Sequence, residues 1–99
     1  MTLLNYEQQA LASLCRRHRI RRLSLFGSVL KGMARPDSDI DLLVEFEPGG
    51  APGLIGMAAI EAELSEVLGA RRVDLRTPQE LSRHFRDDVL RAAEVQFAA

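Results

Sequence analysis

Tryptophan is absent from the 99-residue sequence, and tyrosine and cysteine occur once each. A lone Cys15 can form no internal disulfide and no cysteine-based zinc site, which points to a reducing, cytoplasmic compartment. Cys15 falls among the apolar positions of a helical pattern and reads as a small buried hydrophobe. His18 and His84 are the only histidines. Neither has a second His or Cys at ligand spacing, so an imidazole metal site is not expected. Long apolar runs are also missing. None approaches the ~20 residues that span a bilayer, and no charged N-terminal region leads into an apolar core. Neither a membrane contact nor a signal peptide is expected. The net charge of −1 excludes binding of nucleic acid by bulk charge. The length predicts a single domain over residues 1–99.

The near-neutral total conceals a segregation. Residues 1–36 hold seven Lys/Arg and one acid, residues 37–66 hold eight acids and no base, and residues 67–99 hold six Arg and five acids. The cluster Arg16, Arg17, Arg19, Arg21 and Arg22 reads as a solvated helix end, with a partner contact as the alternative. Glu61, Glu63 and Glu66 read as the solvated face of a helix.

Leu4, Leu11, Leu14, Cys15 and His18 recur at helical intervals and predict a helix over 4–18, with Asn5 or Thr2 as cap. Arg22–Phe26 alternates and stops at Gly27, as a short strand would. Between 28 and 36, Gly32 and Pro36 leave room only for a short helix or turn. Residues 39–46 are the clearest strand: Ile40, Leu42, Val44 and Phe46 fall on one face and Asp39, Asp41, Leu43 and Glu45 on the other. The Gly/Pro-rich stretch 47–53 is a loop. Met57, Ile60, Leu64, Val67 and Leu68 then share a helical face over 54–68, and Gly69 ends it. Arg72–Arg76 is a third strand. Thr77, Pro78 and Glu80 carry the signals of a helix start, and Leu81, Phe85, Val89 and Leu90 extend helical cover to about residue 97. The expected order is α-β-α-β-α-β-α, an α/β (α+β) chain.

Asp39 and Asp41 lie two apart on a strand, so their carboxylates project from one face with Cα atoms about 6.7 Å apart. Two carboxylates converging at ~4 Å repel by roughly 4 kcal/mol at an effective dielectric near 20. A divalent cation removes that conflict, and all-oxygen ligands favour Mg²⁺ or Mn²⁺. The alternative is the plain solvent face of an edge strand. Gly27 and Ser28 follow a strand end, where backbone amides and a hydroxyl can hold a phosphate; an ordinary turn reads equally from these two residues. Lys31 can add a point charge. Asp74, inside Val73–Leu75, is either a solvent-facing charge or a third ligand on the same sheet face. Three carboxylates suit two-metal catalysis of an in-line displacement.

Gly27-Ser28, ten intervening residues and Asp39-x-Asp41 resemble the signature of nucleotidyltransferases of the DNA polymerase beta superfamily. The runs Leu25–Gly32 and Pro36–Phe46 look like its minimal, antitoxin-type members, and the resemblance continues through Val73–Leu75 and Thr77–Leu81. It implies a small mixed three-stranded sheet flanked by helices. It implies that Gly27 and Ser28 bind the triphosphate of ATP, and that Asp39 and Asp41 hold two Mg²⁺ ions (Mn²⁺ as an alternative). Asp74 then binds one metal and favours deprotonation of the acceptor hydroxyl. Lys31 stands where many relatives have Arg; it keeps the charge and loses the bidentate geometry. Members of this group pair with a HEPN-domain ribonuclease toxin in a hetero-oligomer and move AMP from ATP onto a toxin tyrosine. The resemblance therefore implies a nucleotidyltransferase antitoxin. Two alternatives remain: a catalytically silent antitoxin that neutralises its partner by binding alone, and an enzyme with a small-molecule or RNA acceptor. The C-terminal helix and loop 47–53 are the expected partner contacts.

Overall fold

The computed structural model describes residues 6–27, 39–84 and 86–99. Ser28, Lys31, Leu4, Phe85, the caps expected at Thr2 or Asn5 and the short helix expected between 28 and 36 lie outside them. The elements run α1 (Gln8–Arg17), β1 (Ile20–Phe26), β2 (Ile40–Phe46), α2 (Leu54–Val67), β3 (Val73–Arg76), a 3₁₀ turn (Pro78–Glu80), α3 (Arg86–Ala92) and β4 (Glu94–Ala98). The sheet order is β3-β2-β1-β4. The β1–β2 and β1–β4 pairs are antiparallel and the β2–β3 pair is parallel, so the sheet is mixed.

Helix α1 is capped by Glu7, whose carboxylate accepts from the backbone N–H groups of Gln9 and Ala10 at 3.3 and 2.9 Å. That satisfies two of the orphan amides of the first turn. The helix buries Leu11, Leu14 and Cys15. Burial pushes the Cys15 thiol up to about 12 against a smaller opposing pull from Arg16, as expected of an inert core residue. Helix α2 buries Ile60 and Leu64 and ends before Gly69, which has φ +83°. Both helices lie on one face of the sheet. There Leu11, Leu14, Ile60, Leu64 and Leu68 join Leu23, Leu25, Ile40, Leu42, Val44 and Leu75 in a single core cluster.

The alternation read from β2 holds, with one addition. Leu43, on the face opposite this core, is 1% exposed, and its neighbour Ser24 in β1 is 3% exposed. The 3₁₀ turn after β3 packs against β2 and Leu81 is buried, so the second face is dry in the middle.

Two expectations are corrected. Among the described residues the sheet has four strands, not three, and helical cover does not continue to residue 97. Among the described residues of this segment only Arg86–Ala92 is α-helical, and the chain then turns into β4. The signals at Thr77 and Glu80 start a 3₁₀ turn, where the Glu80 carboxylate accepts from the Thr77 N–H and hydroxyl at 3.3 Å each. The reason lies in the sheet. Without β4, the outer edge of β1 would present unpaired amides and carbonyls. Val95 and Phe97 suit a strand as well as a helix, and pairing decides between them. Tyr6 fastens the new strand from the other side, its hydroxyl donating to Gln96 Oε1 at 2.8 Å.

Antiparallel pairing also brings the basic and acidic blocks together. Arg21 and Arg22 of β1 reach Glu45 of β2 at 3.3 and 3.6 Å. Arg17 and His18 at the end of α1 reach Glu63 of α2 at 3.0 and 2.7 Å. Three of the five clustered arginines, Arg17, Arg21 and Arg22, thus meet an acid, and of the α2 glutamates Glu63 does. Such half-exposed pairs contribute at most about 1 kcal/mol each.

Candidate active site

The candidate site forms where β1 ends and β2 and β3 begin. Asp41 stands in register with Phe26 of β1 on one side and with Asp74 of β3 on the other. Residues in register across a sheet project from the same face, on strands about 4.8 Å apart. Asp41 and Asp74 therefore rise side by side from the face opposite the core. Asp39, two residues before Asp41, shares their parity and lies just ahead of β2. Ile40 N–H donates to the Arg72 carbonyl at 2.8 Å, which fixes the start of β2 against the start of β3.

Gly27 closes the site on the β1 side. Its φ of +83° is a conformation that L side chains rarely adopt. A Cβ there would sit 2.2 Å from Asp41 Oδ2. Glycine is required twice over, by the backbone and by the carboxylate packed against it.

Two arginines meet the acids. Arg76 Nε lies 3.2 Å from Asp74 Oδ2, and Arg72 Nε lies 3.8 Å from Asp39 Oδ1. Asp39 is half-exposed and Arg72 almost fully so. Carboxylates at the strand spacing repel by roughly 3 kcal/mol at an effective dielectric near 20, and the guanidinium groups offset part of this. Among the described residues no three His, Cys, Asp or Glu side chains converge as a metal cluster. The donor set nevertheless suits a hard divalent cation: it is all carboxylate oxygen, two members adjoin in register, and the third is half-exposed.

Glu61 supports the site from the core side. β3 is an edge strand, and the outward N–H of Leu75 donates to Glu61 Oε1 of α2 at 3.1 Å. The residue after Asp74 is thereby held by a helix as well as by β2. Sequence reading missed Glu61, Arg72 and Arg76. For the arginines a signal existed: they flank Asp74 at i−2 and i+2, the spacing that shares a strand face.

A cleft of about 300 Å³ opens at the other end of β2, lined by Arg21, Glu45, Phe46, Thr77, Pro78 and Leu90 among others. None of the three acids lines it. No helix among the described residues is long and apolar enough to cross a membrane.

The nucleotidyltransferase domain family matches residues 7–95, nearly the whole chain. The chain belongs to this nucleotidyltransferase family. The protein adenylyltransferase MntA of Thermococcus cleftensis is 39% identical over 72 residues, which cover 73% of this nucleotidyltransferase and 70% of MntA. A solved structure provisionally described as a minimal nucleotidyltransferase superposes with a TM-score of 0.70 at 44% identity, covering 87% of this chain and 85% of that one. A toxin–antitoxin structure with AMP-PNP superposes with a TM-score of 0.72, covering 94% and 74% of the two chains; at 21% identity it shares the fold. The mixed α/β architecture is thus that of the minimal nucleotidyltransferases, with β4 completing the sheet.

Proposed function

We propose that this nucleotidyltransferase is a cytoplasmic antitoxin that transfers AMP from ATP to a tyrosine hydroxyl of a HEPN ribonuclease toxin. The observation that carries the reading is the register of Asp41 with Asp74 beside the side-chain-free Gly27. The name of the Thermococcus relative and the AMP-PNP in the toxin–antitoxin neighbour support a nucleotide substrate and a protein acceptor.

In the reaction the tyrosyl oxygen attacks the α-phosphorus of ATP. The bond from that phosphorus to the bridging oxygen breaks, pyrophosphate leaves, and AMP stays on the tyrosine. Asp74 takes the hydroxyl proton at its carboxylate. Gly27 and Ser28 bind the triphosphate through backbone amide and hydroxyl, and Lys31 adds a positive charge. Asp39, Asp41 and Asp74 would hold two Mg²⁺ ions (Mn²⁺ is an alternative), which would supply charge neutralisation on the triphosphate. Before that, Arg72 and Arg76 keep Asp39 and Asp74 paired.

A second reading is a silent antitoxin that acts by occlusion, in which Arg72 and Arg76 stay paired with Asp39 and Asp74. The RNA-acceptor reading has less behind it, because Arg17, Arg21 and Arg22 of the basic cluster pair with Glu63 and Glu45. The test is incubation of the full chain with α-labelled ATP, Mg²⁺ and its HEPN toxin. Label on a toxin tyrosine is expected, with Asp41→Asn reducing the rate by about 10³. Unlabelled toxin, with Asp41→Asn still suppressing toxicity in cells, would establish the silent reading instead.

A further inference from the structure

Helix α2 has a solvent face unlike that of an ordinary surface helix. Its inner face packs Ile60 and Leu64 into the core. On the opposite side, Ile55, Ala58, Ala59, Ala62 and Glu66 follow the helical spacing i, i+3, i+4, i+7, i+11, and all five are exposed. Ile55 is 89% exposed and the adjoining Leu54 is 90% exposed. A helix apolar on both sides buries both, and contiguous exposed apolar patches of a few hundred Å² mark contact surfaces.

The stripe is graded along its length. Bulky residues stand at the N-terminal end, three alanines in the middle, and an acid at the C-terminal end. The N-terminal end lacks a side-chain cap at Gly53 and carries no acid in its first turn, while the last turn carries no base. That polarity is complementary to itself when reversed. An antiparallel copy places Ala58 against Ala62 of the second copy, where small side chains let two backbones approach closely. It also places Glu66, about 18 Å along the helix from Leu54, at the uncapped positive end of the other helix.

A second copy fits this surface better than an acceptor protein does. Helix α2 lies on the core face of the sheet, and Asp41 and Asp74 rise from the other face. A substrate seated on the outer stripe of α2 would be separated from the acids by the helix and the sheet. A dimer through this stripe leaves both sets of acids facing outward.

We propose that the chain forms a two-fold dimer through antiparallel pairing of α2 with α2 of a second copy. The contact is isologous, with the three alanines near the axis.

Light scattering on the full chain without toxin tests this over a wide concentration range. A mass twice the 11.0 kDa of the chain is expected. Ile55→Glu should raise the dimer dissociation constant about thirtyfold or more. That variant keeps the fold, because Ile55 is exposed and an acid in the first turn favours the helix; an unchanged far-ultraviolet circular dichroism spectrum checks it. Mixing Ala58→Cys with Ala62→Cys should give an oxidised cross-linked dimer in higher yield than either variant alone, since the native Cys15 is buried. A monomeric wild-type chain at every concentration overturns the proposal, as does a dimer indifferent to Ile55→Glu. A monomer whose Ile55→Glu variant no longer binds toxin also overturns it and assigns the stripe to the toxin.

Discussion

The Cβ that Gly27 lacks would fall 2.2 Å from Oδ2 of Asp41, a residue on the adjoining strand. The end of β1 and the beginning of β2 meet there with room for one carboxylate and no side chain.

Gly27→Ala should therefore be costly on two counts. The left-handed backbone adds about 1–2 kcal/mol for an alanine, and the Asp41 carboxylate must move aside. We expect a lower thermal midpoint together with a loss of adenylyl transfer larger than that fall in stability explains. Unfolding melts and transfer rates on the same preparation separate the two effects.

Glu61→Ala removes the acceptor for the outward Leu75 N–H. A hydrogen bond to a charged group contributes about 2 kcal/mol, so denaturant unfolding should show a loss of that order. Hydrogen exchange should accelerate selectively at the Leu75 amide, and the variant should associate more readily through the bared β3 edge.

The Glu63 carboxyl is held below its ordinary value of 4.5, mainly by the hydrogen bond from His18, with desolvation opposing and Arg17 assisting. A lowered folded value means stability that is present above 4.5 and lost as pH falls through the lowered value. Wild type should melt higher than Glu63→Gln near pH ~6, and the gap should close as the pH approaches ~3. Melts of both proteins across that range check the sign.

Cys15 is buried, with its thiol pushed up to about 12. Because the thiolate is the reactive form, thiol reagents should leave the folded protein unlabelled near pH ~8. Labelling should become stoichiometric in denaturant. The labelling rate below the unfolding transition then reports how often α1 leaves the core.

Much of the site was legible in the sequence because its parts are local. The two-residue period of a strand places Asp39 and Asp41 on one face wherever that strand lies, and the end of β1 at Gly27 follows from the alternation before it. The boundaries of α2 and the inert character of Cys15 are local in the same sense. The C-terminal segment was misread for the converse reason. Val89, Leu90, Val95 and Phe97 satisfy a helical pattern, and nothing within the segment records that β1 has a vacant edge.

The sequence by itself determined the strand alternation, the amphipathic helices and the spacing of Gly27 from the paired acids, since each depends on residues a few positions apart. Only the tertiary structure decided that Asp74 stands in register with Asp41, that Glu61 holds the Leu75 amide, and that Glu45 and Glu63 answer Arg17, Arg21 and Arg22. Pairing and packing join residues that are distant along the chain, and their choice follows from which edges and faces the whole molecule leaves open.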